Sequence, residues 1–457
     1  MTGAAWLSIG LFVALALGLT LGLPVAFTLA GVSLIFAGIG VATGTFDPSY
    51  LAAFPNRVFG VMGNETLLAV PLFVFMGVML ERSQIAERLL TSLAGLFGSL
   101  RGGLAISVML VGAVLAASTG IVGATVVTMG LIALPTMLRA GYDPKIAAGT
   151  ICSAGTLGQI IPPSVILVLL GDVLSNAYQK AQLSLGVYSP KTVSVGDLFA
   201  GAMLPGMLLV GGYLVYLIAV AWLQPARAPA LPASMRTKPG AMTLAKALFP
   251  PLLLVVAVLG SIIGGVATPT EAAAIGAMGA LLLAAASGQL SFKNLRETAE
   301  RTALITSMVY MILIAAALFS LVFRGFGGDD LVHELLTGMP GGVLGALIIV
   351  NLVVFLLGFL IDFIEIIFIV VPLVAPPLLA LGVDPIWLGV ILALNLQTSF
   401  LTPPFGFALF YLRGAAPKDF PTSAIYRGVL PFIVIQLSML LALAFFPGLA
   451  TWLPAQL

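Results

Sequence analysis

Residues 135–164 read PTMLRAGYDPKIAAGTICSAGTLGQIIPPS, and residues 376–405 read PPLLALGVDPIWLGVILALNLQTSFLTPPF. The same helix breakers punctuate both. Pro135, Gly141, Asp143, Pro144, Pro162 and Pro163 return 241 positions later as Pro376, Gly382, Asp384, Pro385, Pro403 and Pro404. In hydrocarbon each unpaired backbone amide or carbonyl costs several kcal/mol. A proline-interrupted helix therefore persists only where its exposed groups line a cavity or touch bound ions. Two such interruptions at one offset, in an apolar chain, point to a duplicated membrane fold that moves a solute.

Composition agrees. Of 457 residues, 60% are hydrophobic and 8% charged, against roughly 25% charged in soluble domains. Apolar runs repeatedly approach the ~20 residues that cross a bilayer, so the chain reads as a multi-pass protein of the lipid bilayer. A net charge of +2 gives no footing for nucleic acid. Cys152 has no partner for an intramolecular disulfide and reads as a small core residue. The first apolar run starts almost at Met1 without a basic n-region or a small-residue cleavage site, so it reads as the first crossing.

Apolar runs between charged gaps predict spans near Ala5–Leu21, Val25–Val41, Leu67–Leu80, Ile146–Leu170, Leu198–Trp222, Phe249–Ile263, Ala272–Ala286, Ala303–Phe323, Trp387–Tyr411 and Val429–Phe446. Gly103–Leu138 is too long for one crossing. It is flanked by Arg101 and Arg139 and interrupted by Ala117–Ser118–Thr119–Gly120. With both arginines on the cytoplasmic side, it dips in and returns as a re-entrant hairpin. The loop Gln224–Lys246 carries Arg227, Arg236, Lys238 and Lys246 with no acid, and anchors the cytoplasmic side. Counting spans from it places Asp172–Asp197 and Asp329–Glu334 outside. It also puts the Gly141–Pro144 loop inside and Gly382–Pro385 outside. The halves are then inverted, as in many secondary transporters with sites near the midplane.

Candidate ion ligands cluster at the breaks. In the first half Gly155, Thr156, Pro162 and Pro163 combine freed carbonyls, hydroxyls and close backbone approach, which is what a sodium ion needs. The second half repeats this with Thr398, Thr402 and Pro403. Set against this is the plainer reading that the prolines merely kink packed helices. The hairpin tips would complete the site: Ser118, Thr119 and Gly120 in the first, Gly358 and Asp362 in the second. Asp362 and Glu365 are carboxylates in an apolar run, which usually marks an ion or proton path. The alternative is a position at the watery boundary.

Thr268–Pro269–Thr270–Glu271 reads first as a helix capping box. His333, beside Asp329, Asp330 and Glu334, reads as solvated. Asn64 and Glu65 cap a helix or face the moving part. No GxxxxGK loop or HExxH set is present, which argues against ATP hydrolysis, a membrane metalloenzyme and a transition-metal site. No enzyme activity and no cofactor beyond a coupling ion is expected.

Five stretches carry a family resemblance: Leu68–Glu81, Ala117–Leu138, Gly141–Gly171, Thr268–Ala274 and Asp384–Phe410. Together they resemble the large membrane subunit of tripartite ATP-independent periplasmic (TRAP) transporters, the DctM-like proteins. The resemblance implies sodium-driven uptake of a small carboxylate delivered by a periplasmic binding protein. It also implies a small four-helix, DctQ-like membrane subunit, the bacterial inner membrane, and an elevator movement of hairpins and broken helices against a scaffold. The ion-binding regions would fall on Ser118–Gly120, Gly155–Pro163, Gly358–Asp362 and Thr398–Pro404. Many relatives carry Ser-Gly-Ser-Ser where this chain has Ser118–Thr119–Gly120, and the outer loop Leu174–Val195 resembles the mannitol/chloroaromatic subgroup. The familiar C4-dicarboxylate and sialic acid specificities therefore do not carry over.

The expected fold is an all-α polytopic membrane protein with inverted repeats, two re-entrant helical hairpins and two broken helices, an elevator fold of the ion-transporter-superfamily kind. Residues 1–102 would form N-terminal scaffold helices and an amphipathic arm, and 103–171 and 341–412 the two transport halves. Residues 172–340 would supply the outer loop, scaffold helices and the linker 224–246, and 413–457 a C-terminal helix. Competing readings are a stand-alone ion or organic-anion transporter, a membrane enzyme using Asp362 and Glu365, and a purely structural subunit.

Overall fold

In the computed structural model, which describes residues 3–120, 122–236 and 239–457, every long element is a helix. Lys238 of the basic loop lies outside the described residues. The helices are α1 (Gly3–Thr20), α2 (Val25–Ala42), α3 (Phe54–Met62), α4 (Ala69–Arg82), α5 (Ile85–Phe97), α6 (Gly103–Thr119), α7 (Val122–Arg139), α8 (Pro144–Thr156), α9 (Val165–Ser184) and α10 (Val195–Leu223). They continue as α11 (Ala241–Ile263), α12 (Pro269–Ala286), α13 (Phe292–Gly325), α14 (Gly328–Thr337), α15 (Gly342–Leu357), α16 (Phe363–Ala380), α17 (Pro385–Leu401), α18 (Phe407–Ala415) and α19 (Thr422–Phe445). Among the described residues nine helices are long and apolar enough to cross a bilayer. The count is ten if Pro48–Met62 and Glu65–Arg82, bent by 50°, form one span.

Three sequence expectations shift. Leu67–Leu80 is not a crossing by itself: α4 has 14 residues, about 21 Å at 1.5 Å per residue, short of a ~30 Å hydrocarbon core. The expected span Ala303–Phe323 extends backward into α13, whose first turns carry Lys293, Arg296 and Arg301. There Arg82 pairs with Glu297, and Arg301 lies 3.7 Å from Glu81. The outer segment Asp172–Asp197 is helical over its first half, because α9 runs to Ser184. Its polar residues decorate a helix surface. The Gln182 amide then clasps the returning strand, donating to Lys191 O at 2.9 Å and accepting from Lys191 N at 2.9 Å.

The chain forms two compact units. One comprises Met1–Leu68, Leu169–Ser194 and Ala303–Gly389. Its core includes Phe12, edge-on to Phe319 and Phe323 at 5.2 and 5.1 Å. The other comprises Ala69–Val168, Val195–Thr302 and Val390–Leu457. In it α8 is the hub, packed by α6, α7, α18 and α19. Glycine permits this density: a Cβ on Gly149 would stand 2.1 Å from Gly428 O in α19. The Thr268 capping box forms as expected, with Glu271 N donating to Thr268 Oγ1 at 3.3 Å and Thr268 N to Glu271 Oε2 at 2.8 Å. Cys152 is fully buried.

The repeated punctuation does the same local work twice. Gly141 and Gly382 adopt φ of +83° and +92°, a conformation that side-chain-bearing residues avoid. Asp143 then accepts from Lys145 N at 2.8 Å, and Asp384 from Ile386 N and Trp387 N, both at 2.9 Å. Each aspartate caps a helix whose first residue is the following proline. In both halves the order is a short helix (α5, α14), a helix pair (α6–α7, α15–α16) and an interrupted helix (α8–α9, α17–α18). The basic linker is docked in the first half: Gly102 N donates to Ala228 O, Asp143 N to Arg227 O and Leu231 N to Gly98 O.

Replacing Gly149 with Ala should lower the detergent melting midpoint by the equivalent of roughly 1–3 kcal/mol of overpacking, while Gly414→Ala, which faces open space, should leave it unchanged. Arg227 Nε donates to Asp143 Oδ2 at 2.7 Å. Burial opposes ionisation of that carboxyl, but the Lys145 amide and the Arg227 guanidinium outweigh it and hold it below the usual carboxylate range. Asp143→Asn keeps the cap and loses the ion pair, worth about 0–1 kcal/mol when exposed to this degree. The melting difference from the parent should be present above pH ~4 and should vanish as acidification protonates the parent carboxylate.

Candidate ion-binding site

The tip of the first helix pair lies directly on the first helix break. α6 ends at Thr119, whose side chain lies outside what is described, and the chain turns at Gly120 with φ of +60°. A Cβ on Gly120 would sit 3.2 Å from Val165 N, and one on Gly158 would sit 3.4 Å from Ala116 O and 3.6 Å from Gly120 Cα. On Gly155 it would come within 2.3 Å of Val126 Cγ2. Three glycines thus press the tip against the segment joining α8 to α9. The structure brings Ser118, Gly120, Gly155 and the Thr156–Pro163 break together within one unit, with Pro162 and Pro163 buried.

Hydroxyls around this contact point their protons at their own backbone. Ser118 Oγ donates to Leu115 O at 2.9 Å, Thr156 Oγ1 to Ser153 O at 3.0 Å and Ser164 Oγ to Gln159 O at 3.1 Å. The lone pairs that remain on these three oxygens are acceptors, the groups a hard cation takes. The second break repeats this chemistry. Thr398 Oγ1 donates to Leu394 O at 2.8 Å, Ser399 Oγ to Leu396 O at 2.8 Å and Thr402 Oγ1 to Thr398 O at 2.7 Å. Thr398 is fully buried, Thr402 and Pro403 half-buried. The Pro162–Pro163 and Pro403–Pro404 bonds are both cis. After the second break α18 returns onto the first half: the Tyr411 ring would meet a Gly123 Cβ at 3.0 Å, and Cys152 Sγ lies 3.7 Å from Ala408 O.

Gly358 and Asp362 belong to the other unit. Gly358 ends α15, its amide donating to Val354 O at 3.0 Å, and Asp362 Oδ1 accepts from Phe363 N at 2.7 Å to cap α16. Asp362 is thus a cap, and Glu365 a residue of the first turn it starts. Glu365 is 3% exposed, which removes the watery-boundary reading for it. Its Oε2 has no hydrogen-bond partner among the described residues. A π-helical turn over Ile366–Val370 follows, a distortion frequent at functional sites. Asn64 settles as a link within this unit, donating to Asp172 Oδ1 at 2.8 Å and accepting from Thr66 N at 3.0 Å. His333 is exposed, as expected.

Sequence reasoning missed a set of buried polar side chains beside the breaks. Gln159 and Gln397 are fully buried, and neither amide has a partner for either polar atom among the described residues. Thr150 Oγ1 and Ser153 Oγ share that condition. With Thr156 and Gln159 they recur every third residue, so α8 and the turn after it carry a polar stripe facing inward. A buried amide left unpaired costs about 1–3 kcal/mol, so its retention signals a use. The available signal was a glutamine in an otherwise apolar run within two turns before each Pro-Pro pair, Gln159 ahead of Pro162 and Gln397 ahead of Pro403.

Comparison with known proteins places this architecture. Residues 12–449 match the family model described as tripartite ATP-independent periplasmic transporter, DctM component. The chain is 31% identical to the C4-dicarboxylate TRAP transporter large permease protein DctM of Vibrio cholerae, over 99% of this chain and 98% of that one. It is 28% identical to the isethionate TRAP transporter permease protein DctMQ of Oleidesulfovibrio alaskensis, over 96% of this chain and 65% of that protein. Among solved structures, the YdaH transporter of Alcanivorax borkumensis superposes with a TM-score of 0.59 at 16% identity, covering 88% of this chain and 89% of that one. That likeness concerns the fold.

Gln397→Leu should leave the melting midpoint unchanged or raised, because it removes two uncompensated buried polar atoms. The same change should sharply reduce ion-dependent uptake. A structural amide would instead show loss of stability and uptake together.

Proposed function

The chain belongs to the DctM-component family of tripartite ATP-independent periplasmic transporters, and on that premise we propose that it imports a small organic acid by sodium coupling and an elevator movement. It is the large permease of a TRAP transporter, a multi-pass protein of the bacterial inner membrane and not an enzyme. Relatives bear names with different substrates, C4-dicarboxylate in one and isethionate in another. The substrate here is accordingly defined by charge class: a small carboxylate or its sulfonate counterpart. A soluble periplasmic binding protein delivers it and a small DctQ-like membrane subunit braces this one. The joined designation DctMQ of a relative longer than this chain supports that second partner.

The observation that carries the reading is the doubled break. Glycine turn, aspartate cap, proline start and Pro-Pro interruption occur at one offset with hydroxyl oxygens beside each interruption. In this reading Ser118, Thr119, Gly120, Gly155, Thr156, Pro162 and Pro163 form one sodium and substrate region. Gly358 and Asp362 in one unit, and Thr398, Thr402 and Pro403 in the other, are the matching residues of the second repeat. Neutral oxygens, freed carbonyls and one or two carboxylates are a donor set for Na+ as co-transported cargo. The two re-entrant helix pairs and broken helices, residues 103–171 and 341–412, travel against the remaining helices.

In proteoliposomes holding the chain with its small subunit and cognate binding protein, uptake should require an inward sodium gradient. Ser118→Ala and Asp362→Asn should each raise the sodium concentration for half-maximal uptake by roughly tenfold, the loss expected for one ligand worth ~1.4 kcal/mol. Unaltered sodium dependence in both variants would remove these residues from the site. Uptake without binding protein would favour a stand-alone transporter.

A further inference from the structure

One cavity lies away from the helix breaks. It has a volume of about 420 Å³, is enclosed by α3, α9, α13 and α16, and lies entirely within the unit that holds Met1–Leu68. Its polar walls are Arg57, Asn64, Asp172, Asn176, Lys180, Ser320 and Arg324, and Phe368 lies on one side. The charge count there is uneven. Asp329 Oδ2 is shared by Lys180 Nζ and Arg324 Nε, both at 3.0 Å. Asp172 is held by the Asn64 amide at 2.8 Å. Arg57, half-buried, has no ion pair among the described residues; besides its burial it feels the like charge of Arg324 and, less strongly, the attraction of Asp329. Three cations thus face two carboxylates, and the unmatched one is a guanidinium with five donors in a rigid fork.

We propose that this cavity is a receptor site for a small organic anion, with Arg57 as its principal ligand and Arg324 and Ser320 as further donors. The Asn64 amide is spent on Asp172 and Thr66 and the Asn176 amide nitrogen on Asp172 O, so the donors facing a ligand are chiefly those of Arg57, Arg324 and Ser320. A planar carboxylate or a sulfonate matches the guanidinium fork with two parallel hydrogen bonds. It also relieves the repulsion between Arg57 and Arg324. The volume lies in the range of small-molecule pockets, roughly 300–1,000 Å³, and is larger than a halide needs. The charge rule places both Asp172–Asp197 and Asp329–Glu334 outside, so the site would meet an anion arriving from that side. Its far wall is α16, which Asp362 caps, so occupancy bears on that helix. The inference is independent of the sodium reading, and its test is run without sodium.

The full chain, purified in detergent and sodium-free buffer, is treated with phenylglyoxal in the presence of succinate or its neutral diamide, succinamide, and modification of Arg57 is followed by mass spectrometry. Succinate should protect Arg57 and succinamide should not. Arg57→Gln should weaken the succinate-induced rise in melting midpoint by roughly tenfold or more in concentration, with Arg57→Lys in between. Absent protection, equal protection by succinamide, or an undiminished succinate effect in Arg57→Gln would each overturn the proposal. So would a cavity that only receives an acidic side chain of a partner, since free succinate would then leave Arg57 reactive. If Arg57→Gln does not fold, the protection measurement on the unaltered chain decides alone.

Discussion

The backbone's demand for hydrogen bonds in a medium without water governs this structure. Helices that cross hydrocarbon satisfy that demand internally, and those that break must place their loose ends against protein. Here the break after α8 is covered by the tip of α6–α7, and glycine at 120, 155 and 158 lets two backbones come close enough to exclude lipid and bulk water. The hydroxyls of Thr156, Thr398 and Thr402 spend their protons on backbone carbonyls and keep oxygen lone pairs for another partner. In the proposed reading these oxygens are cation ligands already desolvated by folding.

Packing around the breaks is held by two kinds of contact. Small residues make α8 a hub, with Gly149 against Gly428 and Gly112 against Ala154 leaving no room for a methyl group. Polar caps then fix where each helix begins: Asp143, Thr268, Asp362 and Asp384 each accept backbone amides at an N-terminus. These caps define where the helices around the breaks begin without placing bulk between them. The ionised side chains of Arg82, Glu297, Arg301 and Glu81 gather where α4 meets the start of α13, apart from the hydroxyl-lined breaks. Neutral oxygens and the Gln159 amide are thereby left as the polar groups at the first break.

Much of this was legible from residue order. The 241-residue offset named both breaks, and Gly141 and Gly382 adopt the positive φ their position requires. The flanking arginines marked the first helix pair, and Thr268–Glu271 formed the expected box. What stayed hidden depends on length and on facing. Asp172, Asn176 and Lys180 looked like a loop because polar residues facing a cavity interrupt the apolar period, so the extension of α9 was invisible. Leu67–Leu80 looked like a full crossing because hydropathy does not reveal a 50° bend. Gln159 was overlooked because burial, and not residue type, makes an amide informative. The excess charge at Arg57 emerges only when Asp329 is seen to serve both Lys180 and Arg324.

The account turns on opposed orientation of the two repeated halves. Its most direct measurement is sided labelling of single cysteines just after the two glycine turns, Lys145→Cys and Asp384→Cys, with a membrane-impermeant maleimide on intact cells; the native thiol at Cys152 is buried. The inverted arrangement predicts that the cysteine at 384 reacts from outside and the cysteine at 145 only after permeabilisation. Reaction of both from one side would contradict it.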